Sequence, residues 1–296
     1  MNVLLIGNFG TSWDGSVCDE KHIAEALKSL GHGVCEMQRE NIPMGQVSAI
    51  HGFELVLIAQ WNGYPEHVCN KLREMYNCPV VYWAFDYQWD SNEEWHFEMA
   101  VEADLFLSKE MDNRTEYEEI GANFHWLPQD FAPDSLRPIE GLNLENNYEV
   151  VFTGSYLPQA EFRNKLLKAV DDEFDLHIFT VTPDGFKDFK NVHSPIMDDG
   201  LIKLYQEAKI VLSVDWKQAE GYWSDRMSQV LACGGYVINL YVPMQELDYP
   251  DVVHFNTIEE CLKLIRKGPG KRGQKPIYVT DRVKQMLMIV RYQCLA

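Results

Sequence analysis

The strongest chemical signature lies between Glu220 and Gly235, in the run Glu-Gly-Tyr-Trp-Ser-Asp-Arg-Met-Ser-Gln-Val-Leu-Ala-Cys-Gly-Gly. Arg226 stands there in what reads as the first turn of a helix, and Lys217 precedes the run. Fixed cations beside a helix start suit a phosphate or diphosphate, because the free backbone N–H groups of the first turn add to the side-chain charge. When a diphosphate departs as a leaving group, such cations stabilise the charge that develops. Tyr222 and Trp223 offer flat faces to a base or sugar, and they equally fit ordinary core packing.

A second set of residues is suited to moving a proton. Asp14 and His22 follow a glycine-bearing turn near the N-terminus, and Asp86 follows the apolar run from Pro79 to Phe85. Each is a candidate general base toward a hydroxyl; His22 also reads as a structural histidine. Trp61, Tyr64, Trp83, Tyr87 and Trp89 fall near the same strand ends, where sugar or base faces suit them.

The elements that must position these groups follow from periodicity. Ile210 to Val214 and Tyr236 to Leu240 are apolar runs of strand length on either side of the motif. Between them Met227, Val230 and Leu231 share one helical face over Ser224 to Cys233. Ser224 and Asp225 are N-cap candidates, and Gly234-Gly235 is a C-terminal stop. Earlier, Met1 to Ile6 reads as a strand running into Gly7-Asn8-Phe9-Gly10-Thr11, then a helix to Leu30. Strands at 34–37, 53–59, 79–85, 104–108 and 124–127 alternate with helices at 66–76, 93–102 and 113–120. The stretch 128–147 loses periodicity and holds Pro128, Pro133, Pro138 and Gly141, which marks a linker. A second alternation opens at Tyr148, and a last amphipathic helix runs from about Thr280 to Tyr292. Strand–helix alternation predicts parallel, doubly wound sheets, two of them: residues 1–130, a linker 131–147, residues 148–275, and a C-terminal helix in 276–296 placed to pack back on the first domain.

Composition narrows the function classes. The chain has 296 residues, a length suited to two domains. No apolar run reaches the length of a membrane span, nothing resembles a signal peptide, and the seven scattered cysteines fit reduced core thiols, so a cytoplasmic protein is expected. The net charge of −19 opposes non-specific binding to nucleic acid. Its distribution is uneven: from Cys261 onward nine Lys or Arg face a single acid, Asp281, so that segment is +8. Such a strip can meet a polyanion locally or be the solvated face of a helix.

The order of Gly221, Tyr222, Trp223, Ser224, Arg226 and the double glycine resembles the sugar-nucleotide-binding segment of GT-B glycosyltransferases, in the branch related to the spore maturation glycosyltransferases. The resemblance is specific from about Tyr148 to Lys267 and architectural elsewhere. It implies two Rossmann-like domains facing across a cleft, with the acceptor on the N-terminal half and the nucleotide-sugar (UDP-, GDP- or another) on the C-terminal half. It implies that Gly154 and Ser155, in the turn after Phe152-Thr153, approach the donor phosphates, and that Arg163 matches a recurring arginine. Gly10 and Thr11 resemble the acceptor-side turn, with Trp61 and Tyr87 beside it. One departure stands out: where many retaining members hold the ribose with a glutamate, this chain has Gln229. No D-x-D triplet occurs, which fits a mechanism that needs no metal or other cofactor. The implied activity is sugar transfer to a hydroxyl of a saccharide, a small molecule, or a hydroxymethylated base in DNA as in some viral enzymes. A non-catalytic sugar-nucleotide sensor is the rival; a phosphorylase would need a pyridoxal phosphate lysine that cannot be identified, and an epimerase is weaker still.

Overall fold

Short apolar runs bounded by turns form the strands, and the amphipathic stretches between them form the return helices. The computed structural model describes residues 1–10, 17–42, 52–59, 64–85, 94–141 and 146–295. The chain divides into two compact units: Met1–Gln129 with Ala219–Tyr222 and Val279–Ala296, and Asp130–Gln218 with Trp223–Tyr278.

The first unit contains β1 (Asn2–Gly7), α1 (Asp19–Ser29), β2 (Gly33–Gln38), β3 (Leu55–Ala59), α2 (Val68–Tyr76), β4 (Val80–Ala84), α3 (Glu94–Glu102), β5 (Leu105–Ser108), α4 (Arg114–Glu119) and β6 (Phe124–Trp126). The strands are parallel in the order β2-β1-β3-β4-β5-β6. Every residue of β3 and β4 is buried, as expected of central parallel strands covered on both faces. A buried polar chain runs through this core. His96 Nδ1 meets the Tyr82 hydroxyl at 2.9 Å, its Nε2 meets the Tyr117 hydroxyl at 2.8 Å, and Tyr117 donates to Glu110 Oε1 at 2.7 Å.

The second unit contains β7 (Val150–Thr153), α5 (Glu161–Glu173), β8 (Leu176–Phe179), β9 (Asn191–His193), α6 (Asp198–Glu207), β10 (Ile210–Ser213), α7 (Arg226–Ala232), β11 (Val237–Leu240), α8 (Gln245–Asp248), β12 (Val253–Phe255) and α9 (Ile258–Lys267). Its order is β12-β11-β10-β7-β8-β9, again all parallel. Counted from its own first strand, that is the 3-2-1-4-5-6 order of a dinucleotide-type Rossmann sheet, and β7 and β10 flank the point where the winding reverses. The final helix α10 (Val279–Cys294) belongs to the first unit and packs on α1.

The residues read as a linker are tied to the second unit. Ala132 forms a parallel bridge with Tyr278, Arg137 stacks on the Tyr278 ring at 4.0 Å, and Ile139 N–H donates to Gln206. β9 and α8 left no periodic signal in the sequence. The edge strand β9 pairs with β8 along the backbone, and the His177 and His193 rings stack across the pair with centroids 5.1 Å apart. Among the described residues no helix is long and apolar enough to cross a membrane.

Candidate functional site

In an open parallel sheet, ligands bind beyond the carboxyl ends of the strands where the winding reverses. In the second unit those ends belong to β7 and β10. β7 ends at Thr153 and passes into Gly154, which has φ +151° and donates its N–H to the Phe179 carbonyl at 3.1 Å. A Cβ on Gly154 would stand 2.8 Å from Arg226 Nη2 and 3.1 Å from Phe152 Cζ. The missing side chain therefore lets the guanidinium lie over the strand end.

Arg226 is half-buried, 5.1 Å from the centroid of the buried Phe152 ring, and its one side-chain hydrogen bond among the described residues goes to Ser224 Oγ at 3.4 Å. No carboxylate among the described residues forms an ion pair with it. Its sequence neighbour Asp225 is committed elsewhere, accepting from the Gln229 amide. A half-buried guanidinium without a counter-ion at this place is a ready anion site. Ser155 follows, with its carbonyl taken by Arg163 Nη2 at 2.8 Å. Arg163 is 5% exposed, on α5, and its guanidinium also lies 5.8 Å from the Phe152 ring. It acts on the turn from behind. Thr153 Oγ1 bonds the Tyr205 hydroxyl at 2.8 Å, and burial pushes that phenol up to about 12, so it stays a neutral hydrogen-bonding prop.

The loop between β10 and α7 carries the rest. Asp215, two residues past the end of β10, accepts from the Ser224 N–H at 3.1 Å. Lys217 is half-buried in this loop. The helix expected from Ser224 to Cys233 is shorter, Arg226–Ala232, with Asp225 at the N-cap position in α conformation and without a capping hydrogen bond. Seven residues give little helix-end charge, so the positive character of the site rests on side-chain cations, Arg226 first. The C-terminal stop has the expected chemistry: Gly234 at φ +78° donates to the Leu231 carbonyl and Gly235 to Val230.

Burial changes the roles expected of two aromatics. Trp223 is 1% exposed, and its indole N–H donates to the fully buried Asp130 at 2.9 Å. It is a core anchor rather than a stacking platform. Asp130 also accepts from the Tyr249 hydroxyl, which meets Ser228 Oγ. Tyr222 is 4% exposed and lies in the first unit, its ring 4.2 Å from Lys109 Nζ. Gln229 remains at the helix face, with its amide nitrogen directed to Asp225.

In the first unit the sheet winding reverses between β1 and β3. The turn after β1 is closed by side chains. Asn8 Oδ1 accepts from the Gly10 N–H and from Gln38 Nε2, each at 3.1 Å. Asn8 N–H donates to Glu20 Oε1 at 3.1 Å. Glu20 is 3% exposed, and a Cβ on Gly7 would meet its Cγ at 2.5 Å. Glu20 was missed in the sequence, yet it falls on the buried face of α1 with Ile23, Ala24 and Leu27; an acid on an apolar stripe was the signal. A second buried polar group lies after β5 and β6, where Lys109 donates to Gln129, which donates to Asp19. His22 is half-buried on α1. Thr11, Asp14, Trp61, Asp86, Tyr87 and Trp89 lie outside the described residues.

A family model described as glycosyl transferase-like matches residues 161–275. No curated protein matches the chain. Among solved structures, an alpha-glucosyltransferase in complex with UDP is 11% identical, covers 99% of this chain and 96% of that one, and has a TM-score of 0.65. HepE of Anabaena, in complex with UDP and glucose, is 12% identical over 97% of this chain and 98% of that one, with a TM-score of 0.63. An alpha-glucosyltransferase bound to UDP and a 13-mer DNA containing an HMU base is 11% identical over 99% and 92%, with a TM-score of 0.61.

Proposed function

We propose that this chain, which has the two-Rossmann-unit GT-B fold and a glycosyl transferase-like domain over residues 161–275, is a glycosyltransferase that moves a sugar from a UDP-sugar to a hydroxyl without a metal ion. The observation that carries the reading is Arg226, half-buried over Gly154 at the reversal of the second sheet and paired with no carboxylate among the described residues. A diphosphate is the anion that fits a fixed guanidinium beside a glycine turn at such a place. The neighbours solved with UDP support uridine diphosphate as the nucleotide.

In this reading the donor diphosphate lies against the Gly154–Ser155 turn. Arg226 and Lys217 stabilise it as the glycosidic bond to the sugar breaks. Arg163 positions the turn through the Ser155 carbonyl, and Ser155 Oγ and Ser224 Oγ supply hydrogen bonds to phosphate oxygens. Gln229 offers the ribose its remaining carbonyl oxygen. The acceptor binds the first unit, near Gly10, Thr11, Trp61 and Tyr87. Asp86, or Asp14 with His22, takes the proton of the acceptor hydroxyl. Glu20, fixed on the Asn8 amide, joins them as a candidate.

Chromatography of the chain incubated with UDP-glucose alone tests the class. Slow release of UDP and glucose marks an enzyme; binding without any turnover, with or without acceptors, marks a sugar-nucleotide sensor instead. A DNA acceptor is the second reading, favoured by the neighbour bound to DNA with an HMU base.

A further inference from the structure

We propose that His67, Glu98 and Glu102 form a binding site for one divalent transition-metal ion of the zinc class, joining α2 to α3 in the first unit. His67 Nδ1 lies 2.6 Å from Glu98 Oε1 and 2.7 Å from Glu102 Oε1, and the three ligand atoms fall within 4.8 Å of one another. Glu98 and Glu102 stand four residues apart on α3, so both carboxylates leave one face of that helix. His67 immediately precedes α2.

Two carboxylates converge on one imidazole nitrogen. That nitrogen holds one proton and donates to one oxygen at a time, and a protonated His67 offsets one of the two negative charges. Lys71 gives its ammonium to the Glu66 carbonyl at 2.9 Å, and Arg73 pairs with Asp104 and bonds the Glu102 carbonyl rather than its carboxylate. A dication in place of the proton takes a lone pair from all three groups and balances both carboxylates. The carboxylates are also oriented from behind: the His67 N–H donates to Glu98 Oε1 at 2.7 Å, and the Asn70 N–H approaches Glu102 Oε2 at 3.5 Å. Such outer hydrogen bonds fix ligand direction in metal sites.

The donor set selects the ion. One imidazole and two carboxylates suit zinc, cobalt or nickel, whereas magnesium and calcium favour all-oxygen shells. Tetrahedral zinc with bonds of about 2.0–2.2 Å holds its ligand atoms roughly 3.3 Å apart. The present spacings reach that with side-chain shifts under about 1 Å. His67 is 64% exposed, Glu98 24% and Glu102 11%, which leaves room for water as a fourth ligand. The site belongs to the first unit and Arg226 to the second, so it stands or falls apart from donor binding.

Calorimetric titration of zinc chloride into the chelator-treated full chain tests it, with thermal unfolding in parallel. One equivalent is expected to bind with Kd in the range of about 1–10 µM and to raise Tm. His67→Ala and Glu102→Gln each weaken binding about 10- to 100-fold, His177→Ala binds as wild type, and circular dichroism reports whether each variant is folded. Magnesium chloride gives no comparable heat. Absence of saturable zinc binding below about 100 µM, or unchanged binding in folded His67→Ala, overturns the proposal.

Discussion

Arg226 reaches its place because Gly154 has no side chain, and this pair is where single substitutions tell most. Arg226→Ala removes the charge over the strand end and leaves no fully buried group unpaired, since its partner Ser224 is only half-buried. Sugar transfer is expected to fall by at least about 10²-fold, roughly 3 kcal/mol, with the circular dichroism spectrum unchanged. Gly154→Ala forces a Cβ against Nη2 of Arg226 and imposes a left-handed backbone on a residue with a side chain. It should weaken UDP binding while costing about 1 kcal/mol or more of stability, read by calorimetry and urea unfolding. At this scale the sequence spelled out Arg226 and the glycine turn, because residue type alone announces fixed charge and backbone freedom. It could not tell that Trp223 faces Asp130 in the core, since an indole buried on an acid and an indole open to a base are written alike.

Among the elements, α7 and the buried chain around His96 carry testable consequences. Trp223 and Tyr249 both donate to Asp130, and Ser228 ties Tyr249 to α7. Trp223→Phe leaves the buried carboxylate short of one donor and should destabilise the protein by about 1–3 kcal/mol in urea unfolding. In the first unit, burial holds His96 neutral, its pKa lowered from 6.5 to about 3. Between those values the unfolded chain binds the proton and the folded chain does not, so stability rises with pH across that window and is lost as acid is added. The contribution reaches a few kcal/mol at the acid end, and His96→Gln should flatten the slope of unfolding free energy between about pH 6 and about pH 4. The double glycine that ends α7 was legible, because a Schellman turn has a residue signature. The start of α7 was not. Asp225 has the composition of a cap, but its carboxylate is drawn to Gln229 one turn on, and the helix begins two residues late. β9 was hidden because it is three residues long and has no apolar period; its backbone ladder with β8 and the stacked His177 and His193 rings are not written in periodicity.

For the whole molecule, strand–helix alternation read along the chain was enough to give two parallel sheets, since each crossover has one favoured hand. The reversal point of the second sheet needed the strand order, which periodicity does not encode. The charge strip after Cys261 illustrates the opposite failure. Arg266 pairs with Glu173, Arg272 is spent on the carbonyls of Gln206, Gly234 and Ala208, Arg282 is 1% exposed, and Lys284 meets Asp281. The strip is also divided between the two units. Part of the strip's charge is therefore taken up inside the protein, and a salt dependence shallower than nine free cations would give is expected for any DNA binding in filter-binding assays. A steep one would favour the DNA acceptor. Transfer should also change by less than about twofold on adding magnesium or manganese, if fixed cations replace the metal at the diphosphate.

Calorimetric titration of UDP-glucose into the wild-type chain and into Arg226→Ala bears most directly on the central claim. Saturable one-to-one binding that weakens by roughly 10²-fold in a variant of unchanged Tm is the predicted result. Equal affinity in the two proteins, or no binding to the wild type, would contradict it.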